Sequence, residues 1–382
     1  MKIEVVATTS YENLNNKNNF NYLSGILAGI CYMPSGFDQL KNQSEEKIMK
    51  RSDLTKKNGH HSVFEHEYIT FVLSDIPKLF AMILNNQKTF VTSEKSARYT
   101  IMETEGDESQ LYNKWKNIFI KLITQKYNNI PYFTEKRIEK LAMENARYMT
   151  SIFTNTTMAY TVSYRQLNYL YSWLLNLKQD TNEYIVKLIP YIDEFCKNIE
   201  ALNFIDTDLI SDGKNRQISF FEKCPKKEYF GCVYSTNYKG SWASFAQAQR
   251  HRTINYEISI PMVKDYYIPK IIRNNNKLKE MWLKDLQGIA DLHPQAELIN
   301  INERSLPEHF ILKVKERLCT AAQLEVMEQT KNTLEKYIDQ CDDNYVRLQL
   351  LTINNGARCV DKNYKCNEPC GFKQGIDLTR EI

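Results

Sequence analysis

Two stretches of this chain answer each other, and that internal similarity constrains the fold more than any other feature. In the first half, Glu67-Tyr-Ile-Thr-Phe-Val-Leu-Ser74 is β-rich; a helix-like segment from Pro77 to Lys88 follows and runs into TFVTSEKSARY, ending at Tyr99. In the second half, Glu228-Tyr-Phe-Gly-Cys-Val-Tyr-Ser235 is followed by Trp242 to Arg252, then by TINYEIS ending at Ser259. Glu67, Tyr68, Val72 and Ser74 recur as Glu228, Tyr229, Val233 and Ser235. A repeat of this kind predicts two similar units, and overlooking it would misassign the whole fold.

Each half continues into helical pattern. The first does so over Leu111 to Lys126, Glu135 to Tyr148 and Thr161 to Leu177, the second over Lys277 to Ala290 and Phe310 to Ile338. The class is therefore α+β, with each half a strand-containing, helix-rich unit. Ala201 to Asn215 is polar and turn-rich, which puts the expected boundary near residue 210 and the units at 1–210 and 211–382. The Asn-rich run Asn13 to Asn21 reads as a solvated loop.

Composition narrows the function classes. With 42% hydrophobic and 12% aromatic residues, 382 residues suffice for a sizeable core, so a disordered chain is excluded. A net charge of +4 is too slight for a surface built to hold nucleic acid or an anionic membrane, so any anion must meet a local cluster. No apolar run reaches membrane-spanning length, and MKIEVVATTS lacks the apolar block of a secretory signal. Nine cysteines, an odd number, fit reduced thiols better than a disulfide framework, and a cytoplasmic protein is expected.

Three polar clusters carry chemistry. In Gln247-Ala-Gln-Arg250-His251-Arg252, a helix running to Arg252 would set Gln247, Arg250 and His251 on one face, a fork suited to a phosphate or a polarised heteroaromatic ring. A solvated basic helix end is the plainer reading. Gly59-His60-His61-Ser62-Val-Phe-Glu65-His66 invites a metal, but its spacing lacks the helical HExxH register, so its polar groups line a ligand cleft or sit in a solvated turn. In Ser93-Glu94-Lys95-Ser96-Ala97-Arg98-Tyr99, an extended chain would turn Glu94, Ser96 and Arg98 the same way, offering an acceptor, a hydroxyl and a guanidinium; a surface turn is the alternative.

Together these stretches carry a resemblance to the flavin-dependent thymidylate synthases. Arg250-His251-Arg252-TINYEIS resembles that family's RHRxxSxNExS signature, GHHSVFEH its GHxSxxEH segment, SEKSARY the end of its signature, and Arg317-Leu-Cys-Thr-Ala-Ala-Gln-Leu-Glu-Val its Arg followed by AQWEI. Ala146-Arg147 and Thr161-Val-Ser-Tyr-Arg165 resemble its AR and TVNAR segments. The resemblance implies two tandem copies, each a small antiparallel sheet with a long-helix bundle, and a homodimer acting as a pseudo-tetramer. It further implies reductive methylation of dUMP to dTMP, with FAD as cofactor and NADPH and methylenetetrahydrofolate as co-substrates.

The departures are complementary between the copies. Asn86-Gln87-Lys88 replaces RHR in the first half, Ile83 stands at the position of Gln247, and Leu174 at that of Arg317. The second half keeps these residues but has no Arg where Arg98 stands, and its counterpart of GHHSVFEH, around Phe221 to Lys227, has lost every polar member. A composite site is the economical explanation. In it the resemblance implies Arg317 as the catalytic residue; Gln247, Glu94, Ser96, Arg98 and Arg147 as nucleotide-binding; and His60, Ser62, Glu65, Arg165, Arg250, His251 and Arg252 as flavin-binding. Ser163 in place of the family's Asn, and Tyr169 and Leu312 where another flavin-facing Asn stands, imply altered flavin affinity or orientation.

Two rival readings are a flavin-dependent methylation or hydroxymethylation of another uridine nucleotide, and a catalytically silent nucleotide-binding homologue. Cys359-x6-Cys366-x3-Cys370-Gly371 resembles a tail of some longer family members. With Cys341 or a His it could complete a zinc site, but the spacing favours packed or redox-active thiols, and no metal ligand is assigned.

Overall fold

The computed structural model describes residues 1–9, 17–98, 100, 104–210, 220–221, 226–370, 372 and 380–382. In chain order its elements are β1 (Lys2–Thr8), α1 (Lys17–Tyr32), α2 (Phe37–Lys41), α3 (Glu45–Lys57), β2 (Tyr68–Pro77), α4 (Lys78–Leu84), β3 (Phe90–Glu94), α5 (Gly106–Tyr127) and α6 (Glu135–Ala146). There follow β4 (Asn155–Ser163), α7 (Tyr164–Leu177), α8 (Glu183–Ala201), β5 (Tyr229–Phe230), β6 (Tyr234–Ser241), α9 (Trp242–Ala248) and β7 (Asn255–Ser259). The chain ends with α10 (Lys270–Arg273), α11 (Asn276–Gly288), β8 (Leu298–Ser305), α12 (Pro307–Arg317), α13 (Leu324–Gln340) and α14 (Asn344–Thr352).

The chain forms two compact units, but not those a cut at 210 would give. Unit 1 comprises 1–95 and 155–218, and unit 2 comprises 96–154 and 219–382. The expected division into 1–210 and 211–382 is thus corrected for one segment, since α5 and α6 pack with the second half of the sequence. The cause is visible in the core. Tyr112, Trp115, Phe119 and Ile123 form one stripe of α5 and are buried with Trp282 and Leu286 of α11. Trp115 meets Trp282 edge-on at 4.7 Å, and its indole N–H donates to Asp285 at 2.8 Å. Each such buried aromatic contributes roughly 1.5–3 kcal/mol, so this allegiance is strongly held.

Unit 1 carries an antiparallel sheet ordered β1-β2-β4-β3, and unit 2 one ordered β5-β6-β8-β7. Their registers correspond. Tyr68 pairs Ser163 as Tyr234 pairs Ser305, and Phe90 pairs Val162 as Asn255 pairs Arg304. The strand equivalent to β2 therefore starts at Tyr234. The expected match of Glu67 through Ser74 with Glu228 through Ser235 is corrected, because Tyr229 and Phe230 form the outer strand β5. β2 is longer than β6 because its register shifts between Leu73 and Ile76, around Asp75 at φ 57°. β2 and β6 each then feed a seven-residue helix, α4 and α9 respectively, with every residue buried.

Several sequence expectations change in detail. Thr161 to Ser163 closes β4, and α7 begins after it, with Ser163 as N-cap accepting from Gln166 N at 3.1 Å. The run Phe310 to Ile338 divides into α12 and α13 around Leu318 to Gln323. Of the Asn-rich run, 13–16 lie outside the described residues, whereas Asn19 and Asn21 are buried in α1 and Asn21 donates to Asp206 at 3.3 Å. Among the described residues, no helix is long and apolar enough to cross a membrane.

Candidate active site

In unit 2 Arg98, Arg147, Gln247 and Arg317 converge around the loop between α12 and α13. Ser241 caps α9, its hydroxyl accepting from Ser244 N at 3.0 Å, and places Gln247 on the buried sixth position of that helix. Gln247 Oε1 accepts from the backbone N–H of Gln323 at 3.2 Å. The Gln323 side chain in turn accepts from the Arg147 guanidinium, which also donates to Ala243 O at 3.3 Å. Gln323 Nε2 donates to the Tyr148 hydroxyl, and that hydroxyl donates to Glu325 at 2.7 Å. Glu325 further accepts from Ser241 N at 2.7 Å and Ser241 Oγ at 2.6 Å. Burial pushes the Glu325 carboxyl up and these donors oppose the shift. Burial likewise lowers the pKa of Arg147, whose Nε has no hydrogen-bond partner.

Arg98 approaches the same loop from the turn after β3. Its guanidinium pairs with Glu144 and donates to Ala321 O at 2.6 Å, while Ser96 Oγ accepts from Arg98 N at 3.3 Å. Arg380 holds the loop as well, donating to Thr320 O at 3.1 Å and Ala322 O at 2.8 Å. Arg317 ends α12 with its Nε buried and unpartnered and Glu316 at 3.9 Å. Burial first, then the nearby charge of Arg98, depresses its pKa, with Glu316 and Tyr256 opposing. His251 is buried too, and burial with the charges of Arg317 and Lys313 lowers its pKa to about 2. It is therefore neutral at physiological pH, and its 3.9 Å approach to Glu316 is not an ion pair.

Two expected geometries do not hold. α9 stops at Ala248, so Arg250, His251 and Arg252 lie in the turn beyond it; they are respectively half-buried, buried and exposed, and do not share a helix face. β3 stops at Glu94, so the alternation with Ser96 and Arg98 fails. Glu94 belongs to unit 1, where Lys78 pairs with it and Asn85 donates to it at 3.1 Å. Tyr99 and most of the Phe221 to Lys227 segment lie outside the described residues.

Unit 1 holds the other expected residues. His60 precedes the 3-10 turn His61–Glu65 and its Nδ1 meets the Tyr32 hydroxyl. Ser62 is exposed. Glu65 pairs with Arg165 at 2.9 Å, and Arg165 donates to Tyr169 OH at 3.1 and 3.0 Å. Beneath them, buried Glu67 accepts from Ser24 at 2.6 Å while its second oxygen lacks a partner, and burial raises its pKa to about 8.

The two helices that follow the sheets match position for position. Ile83 and Gln247 are each sixth in α4 and α9, and Leu174 and Arg317 each eleventh in α7 and α12. Sequence reasoning missed Glu144, Tyr148 and Arg380. Gln323 lay within the quoted AAQLEV match, but its contact with Arg147 was not foreseen.

Comparison with known proteins adds the following. Residues 14–183 match the family model described as thymidylate synthase complementing protein. The flavin-dependent thymidylate synthase of Clostridium tetani is 30% identical over 161 residues, covering 37% of this chain. The chain spans 64% of the length of that curated relative. Among solved structures, a UMP/dUMP methylase, PolB, from Streptomyces cacaoi bound with 5-Br dUMP has a TM-score of 0.35 at 14% identity, covering 56% of this chain and 96% of that one. The flavin-dependent thymidylate synthase of Helicobacter pylori complexed with FAD and dUMP has a TM-score of 0.32 at 16% identity, covering 53% and 93%.

Proposed function

We propose that this chain, whose residues 14–183 match the family model described as thymidylate synthase complementing protein, methylates dUMP reductively at C5, with methylenetetrahydrofolate as one-carbon donor and NADPH as reductant. The observation that carries this reading is the convergence in unit 2 of Arg98 and Arg147, from the first half of the sequence, with Gln247 and Arg317, from the second. Buried Arg147 Nε, Arg317 Nε and His251 Nε2 without hydrogen-bond partners suit an anionic pyrimidine nucleotide and a heteroaromatic cofactor.

When bound, FAD would supply the hydride chemistry. The residues proposed to hold flavin are His60, Ser62, Glu65 and Arg165, described within unit 1, and, separately, Arg250, His251 and Arg252, described within unit 2. Neutral His251 would offer a ring nitrogen as a hydrogen-bonding group without adding charge. Arg147, anchored by Gln323 and Ala243, and Arg98, anchored by Glu144, would bind the nucleotide with side chains already oriented. Arg317 would stabilise the negative charge that grows on the uracil ring as C5 becomes nucleophilic, an interaction stronger in the transition state than in the ground state. Glu94, in unit 1, would be oriented for nucleotide binding by Lys78 and Asn85.

We also infer a tandem duplication, supported by the matching strand orders and helix positions, and a homodimer binding one flavin per chain because Gln247, Arg250 and Arg317 have no counterparts in the first copy. The test is direct. The purified protein should be yellow and should convert dUMP to dTMP in the presence of both co-substrates, with UMP turned over more slowly. A colourless protein that takes up no FAD would overturn the reading, and faster turnover of UMP would reassign the substrate.

A further inference from the structure

The inner face of α12 carries two cations one turn apart. Lys313 is buried and Arg317 nearly so, an arrangement that works against the helix, since like charges four residues apart repel. Lys313 is paired with the buried Glu303 of β8: its Nζ donates to Glu303 Oε2, which also accepts from the Tyr238 hydroxyl at 2.7 Å, while Oε1 accepts from the Tyr234 hydroxyl at 2.8 Å. The ammonium lies 5.9 Å from the ring centres of both Tyr238 and Tyr256, and Tyr256 stands directly opposite Glu303 across the β7–β8 pair. Arg317 follows about 6 Å further along the helix axis. Its Nε has no hydrogen-bond partner, and its contact with a carboxylate, that of Glu316, is 3.9 Å long. Burial and Glu303 push the Tyr256 phenol up while the charge of Arg317 opposes them, so Glu303 and Arg317 act on the same side chain.

Unit 1 shows that the architecture does not require this pair. Where Lys313 and Arg317 stand seventh and eleventh in α12, α7 has Leu170 and Leu174, both buried, and β4, at the place of β8 in the matching strand order, contains no charged residue. Nor does stability account for a buried ion pair, since apolar residues of similar volume serve as well or better. Of the two units, the one that keeps Arg317 is the one that carries the pair.

We propose that Lys313 is a positioning residue: by occupying Glu303 it keeps that carboxylate off Arg317 and leaves the guanidinium open to an anionic ligand. Without the ammonium, Glu303 would be a buried carboxylate with no cation, a strongly unfavourable state, and the replacement that the same helix face offers is Arg317. A guanidinium so captured would turn its planar fork to Glu303 and have little charge left for a developing anion. That consequence for the uracil ring rests on the function proposed above; the exchange of partners does not.

The experiment compares the full-length parent with Lys313→Met and with Lys313→Met/Glu303→Gln, measuring kcat on dUMP and determining the crystal structure of the single variant. Lys313→Met should bring Glu303 and Arg317 into hydrogen-bonding contact and lower kcat by roughly 10², the loss that follows from removing one preorganised donor. The double variant takes away the competing carboxylate and should recover most of that turnover. A purely structural Lys313 would alter unfolding in urea and leave the kcat of the folded protein at the parental level. Parental kcat in Lys313→Met, a double variant as slow as the single, or a single-variant structure in which Glu303 stays with Tyr234 and Tyr238 and Arg317 remains apart would each overturn the proposal. If Lys313→Met does not fold, the double variant, with its uncharged interior, decides: kcat near the parental value upholds the proposal and a fall of roughly 10² overturns it. The crystallographic arm involves no substrate and so separates the two proposals. A Glu303–Arg317 pair in the variant of a protein that turns over neither dUMP nor UMP would sink only the methylation reading, and a methylating parent whose variant forms no such pair would sink only this one.

Discussion

Arg317→Ala sets catalytic demand against structural demand at one side chain. The side chain is 16% exposed, its Nε is buried without a partner, and its ion-pair contact with Glu316 is stretched to 3.9 Å. Its depressed pKa reports a cation that the fold solvates less well than water does. A pair of that length contributes roughly 0–1 kcal/mol. Against it stands the cost of an unsatisfied buried donor, about 1–3 kcal/mol, which truncation relieves, while losing the packing of the aliphatic stem works the other way. These terms nearly cancel, and urea unfolding should find the variant within about 1 kcal/mol of the parent. Turnover should behave differently, because a preorganised donor to developing charge contributes about 2.7–4 kcal/mol, a fall in kcat of roughly 10² to 10³ with flavin still bound. Arg317→Lys should restore little, since a point charge on a flexible stem does not reproduce a planar fork. Near-normal turnover of Arg317→Ala would remove the residue from the chemistry. A loss of stability of about 3 kcal/mol or more would show instead that it is a structural cation.

Glu67→Gln should flatten the pH dependence of stability: with its pKa raised from 4.5 to about 8, the folded chain keeps a proton that the unfolded chain loses, so stability falls as pH climbs through that window. Thermal unfolding at pH 5 and pH 8.5 checks this, and an unchanged slope in the variant would refute it. Tyr148→Phe removes the hydroxyl between Gln323 and Glu325 and should raise KM for the nucleotide several-fold with kcat nearly kept, at a stability cost of about 1–3 kcal/mol for the stranded groups; an unaltered KM would mean that Arg147 does not depend on this chain of contacts. Arg250→Ala should empty the protein of flavin, read as the ratio of visible to ultraviolet absorbance, whereas Lys88→Ala, at the one basic residue of Asn86-Gln87-Lys88 in the first half, should not. Equal losses would sink the asymmetric assignment.

What the sequence disclosed follows from the kind of signal each feature leaves. The equivalence of Ile83 with Gln247, and of Leu174 with Arg317, was legible because helices keep count and α4 and α9 have the same length. The strands misled. An eight-residue β pattern has little internal register, and the Glu-Tyr doublet of Glu228-Tyr229 imitates the start of β2 although it feeds the edge strand β5. The sheet alone, through Tyr234 opposite Ser305, sets the alignment right. The allegiance of α5 and α6 was not readable either, because an apolar stripe such as Tyr112, Trp115 and Phe119 says that a face is buried without naming its partner. At the candidate site the motif letters located Arg98, Arg147, Gln247 and Arg317, but what anchors them is tertiary. Glu144 is one of several carboxylates on an ordinary helix, and nothing local marks Arg380.

The exchange of residues 96–154 into unit 2 also fixes an order of events during synthesis. Trp115 leaves the ribosome 167 residues before Trp282, the ring it packs against. At roughly 5–20 residues per second that is a delay of about 8–33 s, long compared with the microseconds in which a helix forms. Through that interval α5 and α6 lack the partner for their apolar face, while unit 1 can close only once residues to 218 have been made. The nascent protein is thus most exposed to self-association, and most in need of a chaperone, in the middle of its translation rather than at its end. A messenger that slowed decoding between the codons for Tyr127 and Trp282 would lengthen the exposure and lower the yield of folded protein without altering a single amino acid.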